Sequence, residues 1–60
     1  MSEKLKKQII AIRDSGEVNM IDYKTVQLIA FNKQYYDLVS FIAEDENAYL
    51  RYIFSKNLLT

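Results

Sequence analysis

Cysteine, histidine, proline and tryptophan are all missing from these 60 residues, and glycine occurs once. Without cysteine, no disulfide can staple the fold. Without cysteine and histidine, a zinc site of the thiolate and imidazole kind is excluded. General acid–base catalysis would fall to carboxylates, lysine or tyrosine. Without proline, no imino ring breaks a helix. No apolar run approaches the roughly 20 residues that cross a bilayer, and the stretch MSEKLKKQIIAIRDSG lacks the apolar region of a signal peptide. Charge of neither sign prevails. Eight lysines and arginines balance eight aspartates and glutamates, which argues against broad phosphate binding. We expect a soluble, intracellular protein with no membrane association.

What is present is apolar and aromatic. Half the residues are hydrophobic, with five tyrosines and three phenylalanines. A chain this short buries only about 60% of the surface its unfolded state exposes, so small domains lean on disulfides, metals or another chain. With the first two excluded, dense helical packing or association remains. The expected fold is all-α: one domain over 1–60, a compact bundle of three to four short helices completed by homodimerisation.

Four segments carry helical spacing. In the first, from about Ser2 to Asp14, Leu5, Ile9 and Ile12 share one face, and Ser2 is placed to cap. The second, about Tyr23 to Lys33, offers Val26, Ile29, Ala30 and Leu28 for burial. The third, YYDLVSFIAE, aligns Tyr35, Leu38, Phe41 and Ile42. The fourth, ENAYLRYIFS, pairs Tyr49 with Ile53 and Leu50 with Phe54. A stripe running unbroken through the last two would need apolar residues near 45 and 46, where both are acidic. The spacing therefore predicts a break, with Asp45 capping the fourth helix.

Between the first two segments lies SGEVNMID, which reads as an ordered connection. Gly16 can take the left-handed conformation that ends a helix. Asp22 is expected to cap the next one through its carboxylate, with Ile21 stapled to Val26. Val18 and Met20 are expected to plug the space between helices, and Asn19 to bond nearby backbone in a turn.

The search for chemistry is nearly empty. The carboxylates Glu3, Asp14, Glu17, Asp22, Asp37, Glu44, Asp45 and Glu46 form no catalytic pattern. Glu44–Asp45–Glu46 lacks the spaced ligands and glycine of a calcium loop and reads as a solvated junction. No glycine-rich phosphate loop occurs. We expect no enzyme activity, no catalytic or metal-binding residues and no cofactor. The stretch TVQLIAFNKQYYDLVSFI has the outline of a helix-turn-helix with Gln34 at the turn. Its second helix would bring Asp37 and Glu44, and no lysine or arginine from Tyr35 to Tyr49, toward phosphates. DNA binding is thus the alternative reading. Lys4, Lys6 and Lys7 read as a solvated helix face.

The aromatic excess is the remaining signal, because tyrosine buries much area while keeping a polar tip. Candidate partner or dimer residues are Tyr35, Tyr36, Tyr49, Arg51, Tyr52 and Phe54. A candidate acidic edge comprises Asp37, Glu44, Asp45 and Glu46.

The string IRDSGEVNM-x-D, followed by VQ-x-IA, YYDLVSFI and Y-x-x-x-I, resembles a family of small bacterial domains of unknown function borne by phages and prophages. The likeness runs from about Lys7 to Ser55. The chain departs from it in having Gln34 where glycine is common. The resemblance supplies no site residues. It implies a small accessory protein of mobile elements in the cytoplasm of a bacterial host, one that binds a host or phage protein, as inhibitors of anti-phage defence do. A structural phage component is a further alternative.

Overall fold

A computed structural model describes residues 2–59. Its order is α1 (Glu3–Ser15), α2 (Tyr23–Asn32), α3 (Tyr36–Glu44) and α4 (Glu46–Ser55). Among the described residues there is no strand. No helix is long and apolar enough to cross a membrane.

Both ends of α1 and the start of α4 are set locally. Ser2 caps α1, its hydroxyl accepting from the Leu5 amide at 3.1 Å. Gly16 ends α1 at φ 69°, and its amide reaches the Arg13 carbonyl. Asp45 separates α3 from α4 and accepts from the Ala48 amide at 3.0 Å. The predicted break therefore stands where the apolar stripe fails. Asp45→Ala should lower the unfolding free energy by about 1 kcal/mol. An unchanged urea midpoint would show that this cap contributes nothing.

The connection 17–22 is ordered, but two of its expected contacts are not made. The Asp22 carboxylate caps no amide of α2; it accepts instead from the Thr25 hydroxyl at 2.8 Å. Ile21 is no staple, since it is 41% exposed while Val26 is wholly buried. The cause lies in Asn19, whose side-chain oxygen takes the Ile21 amide at 3.1 Å and whose carbonyl takes the Asp22 amide at 2.9 Å. That tight turn holds Ile21 outward, while Val18 and Met20 are buried as expected.

The helices close around one apolar cluster. Leu5, Ile9 and Ile12 come from α1, and Val26 and Ala30 from α2. Leu38 and Ile42 come from α3, Tyr49 and Ile53 from α4. Tyr49 is fully buried, and its hydroxyl donates to the Met20 carbonyl at 2.8 Å, tying α4 to the α1–α2 connection. Phe41, expected in the core, is only partly buried and meets Tyr49 edge to face with centroids 6.5 Å apart.

Between α2 and α3 the chain turns through Gln34 at φ 64°. A residue with a Cβ pays about 1–2 kcal/mol there, and glycine would recover part of this against its own extra chain entropy of about 0.5–1 kcal/mol. Gln34→Gly should therefore raise the urea midpoint modestly, by about 0.5 kcal/mol in free energy. A lower midpoint would mean that the glutamine side chain stabilises the turn.

Candidate functional site

The α2–α3 corner carries the largest exposed apolar groups that lie together. Leu28 and Phe31 are three apart on α2 and so neighbour each other on its surface. They are 61% and 58% exposed. Across the turn, Tyr36 opens α3 at 53% exposure, its ring edge-on to Phe31 with centroids 6.0 Å apart. Leu28 was expected to be buried. The helix is apolar nearly all round, with Val26, Leu28, Ile29, Ala30 and Phe31 in six positions, and the core takes only Val26 and Ala30 completely.

The expected aromatic stripe divides. Tyr49 belongs to the core and is out of reach of a partner. Tyr35 and Tyr52 are half-buried, while Arg51 is exposed and Phe54 is 59% exposed on α4. Tyr36 meets Phe31 of α2 and not a ring of α4. Phe31 is the residue that sequence reasoning missed. The signal available was its i, i+3 relation to Leu28 on a helix with more apolar residues than one buried face can hold.

The expected acidic edge divides as well. Asp37 sits in the first turn of α3 and Glu44 at its end, roughly 10 Å apart along the axis. The Asp37 carboxylate lies 3.9 Å from the Lys4 ammonium. Asp45 is committed to its cap. Glu46 raises the pKa of the partly buried Tyr23 phenol, by hydrogen bonding to it and by its charge, which places the start of α4 beside the start of α2. Among the described residues no group of three or more histidine, cysteine, aspartate or glutamate side chains is placed to hold a metal ion.

Against α3's first turn, α1 contributes a buried glutamine. Gln8 is 8% exposed, and its Oε1 accepts from the Leu38 amide at 3.1 Å. Tyr35, at the N-cap position, provides no side-chain cap, so a residue 30 positions away does so. Gln8→Leu should cost about 1 kcal/mol, the net worth of one hydrogen bond, because the Leu38 amide keeps the Tyr35 carbonyl at 3.1 Å as its other acceptor. A midpoint within error of the parent would remove Gln8 from the account. Beside it opens a pocket of about 280 Å³ lined by Lys4, Lys7, Gln8, Ala11 and Tyr35.

These features define a small four-helix domain with one apolar core, an unfilled aromatic corner and a shallow cationic pocket. The chain belongs to the family described as "Domain of unknown function (DUF5049)", whose sequence pattern matches residues 1–56. No curated protein matches the chain, and no solved structure does.

Proposed function

We propose that this chain is a non-enzymatic protein-binding domain that first pairs with a second copy of itself through the α2–α3 corner. The observation that carries this reading is the grouping of Leu28, Phe31 and Tyr36, each more than half exposed, on a chain that has no cysteine for a disulfide. Exposed apolar patches of this kind mark association sites. A net charge of zero sets no electrostatic barrier to self-association. The non-catalytic part rests on side-chain chemistry: neither histidine nor cysteine is available, and the carboxylates are dispersed or committed.

The finer reading draws on the sequence resemblance. We place the protein in phages and prophages, in the cytoplasm of a bacterial host. There the paired domain occludes a site on a host protein, such as a component of anti-phage defence. The surface left free by pairing includes Arg51, Tyr52 and Phe54 for that contact. DNA binding is disfavoured because the exposed residues of α3 include Asp37 and Glu44 and no cation.

Light scattering across a dilution series tests the pairing. The expected result is a mass near twice 7.1 kDa that falls on dilution. A single-chain mass at every concentration would refute it.

A further inference from the structure

We propose that the two copies pair with α2 of each lying over α3 of the other, turns at the same end, so that each Lys24 meets Glu44 of the second copy. This rests on the pairing at the corner and adds its direction and register.

The outer face of the α2–α3 hairpin can be followed residue by residue. At the turn, the Phe31 and Tyr36 rings meet. Halfway along, Gln27 Nε2 donates to the Val39 carbonyl at 3.2 Å. At the open end, Tyr23 at the start of α2 is hydrogen-bonded to Glu46, just past the end of α3. The two helices are therefore antiparallel, and the start of α2 is level with the end of α3. The exposed residues of α2 are Lys24, Leu28, Phe31 and Asn32. At 100° per residue they lie within about 60° of Leu28. Those of α3 are Tyr36, Asp37, Ser40, Ala43 and Glu44, all within about 60° of Ser40. Each helix thus presents a single outward stripe.

The two stripes differ in bulk. Beyond the turn α2 presents Leu28, whereas α3 presents Ser40 and Ala43. Laying α2 over α2 of the second copy would set bulk against bulk and leave a gap between the two small stripes. Laying α2 over α3 seats each bulky stripe on a shallow one, as close packing requires.

They differ in charge as well. Lys24 and Glu44 are exposed, and neither makes an ion pair among the described residues. Asp37 is drawn to Lys4 at 3.9 Å, and Lys33 lies about 140° round α2 from Leu28. The face therefore keeps a cation on α2 and an anion on α3, both at the end away from the turn. A two-fold contact makes each meeting twice. With α2 over α3, two Lys24–Glu44 pairs form at one end, and the Phe31 and Tyr36 rings of both copies gather at the other. With α2 over α2, which runs antiparallel, Lys24 would face Phe31 and Glu44 would face Tyr36. Complementary charges across an interface fix register in this way.

Charge reversal tests the register. Lys24→Glu and Glu44→Lys each alter an exposed side chain. Both favour their own helix, an acid entering the first turn of α2 and a base the last turn of α3, so the helical circular dichroism spectrum should be unchanged. Alone, each variant sets like charges together twice per dimer, and its dissociation constant should rise about tenfold or more. Mixed one to one, the two variants restore opposite charges at both places. The mixture should return to within about threefold of the parent. Sedimentation equilibrium in about 0.15 M salt, where the screening length is about 8 Å, keeps net charge from imitating the rescue. A mixture no tighter than its separate variants would overturn the register, as would variants that pair as tightly as the parent. A parent that is monomeric throughout would overturn the pairing at the corner and the register with it. A dimeric parent without rescue would overturn the register alone.

Discussion

Tyr49→Ala should abolish the folded state under conditions where the parent is stable. The ring is wholly buried and packs against Phe41, and removing a buried aromatic side chain costs about 3–5 kcal/mol. A domain of this length holds only on the order of 3–9 kcal/mol in total. Tyr49→Phe separates ring from hydroxyl. It keeps the packing but leaves the buried Met20 carbonyl without its donor, so the loss should be smaller, about 1–3 kcal/mol. Urea unfolding followed by far-UV circular dichroism reads both. A Phe variant as stable as the parent would mean that the hydroxyl does not tie α4 to the connection.

The same hydroxyl sets a pH dependence whose sign is fixed. Burial pushes the Tyr49 pKa above the usual tyrosine value of 10.0, whereas in the unfolded chain it stays near 10. The folded state thus binds the proton more tightly, so this contribution is complete below about pH 10 and declines as pH rises through the folded-state value. Stability should fall above about pH 10, more steeply in the parent than in Tyr49→Phe. Parallel slopes would contradict the assignment.

On the proposed pairing, replacing both Leu28 and Phe31 by serine should separate the two copies without unfolding them. Each side chain is more than half exposed in the single subunit, so its truncation takes little from the core and surface substitutions are usually worth about 0.5 kcal/mol or less. At a self-interface each is lost twice, once per copy, because a two-fold contact uses the same patch on both sides. With anchor residues worth about 2 kcal/mol apiece, the dissociation constant should rise by at least about 10³-fold. Sedimentation equilibrium would show a monomer where the parent is a dimer, with an unchanged helical spectrum. Retained pairing would move the interface elsewhere, with Phe54 as the next exposed ring.

How much of this was legible in sequence depends on chain separation. Gly16, Asp45 and Ser2 act within three residues of themselves, and residue type and spacing reveal such caps. The all-α fold and the inward face of α1 followed from periodicity, whereas on α4 periodicity gave two adjacent pairs, of which the core takes Tyr49 and Ile53 and leaves Phe54 59% exposed. Gln8 and Tyr49 were not readable in their actual roles, because their bonds join residues 30 and 29 positions apart, and no local pattern marks a glutamine that caps a distant helix. Asp22 misled because two acceptable donors lay nearby, an amide and the Thr25 hydroxyl. The α2 face misled because apolar residues surround that helix, so periodicity could not say which of Leu28, Ile29 and Phe31 the core would leave outside.

The central claim is that the α2–α3 corner is covered by a second copy. Isotope-filtered NOE spectra of a mixture of labelled and unlabelled chains test it most directly. Intermolecular contacts should appear at the Phe31 and Tyr36 rings and the Leu28 methyls. A spectrum with none at millimolar concentration, or with contacts confined to Arg51 and Phe54, would contradict it.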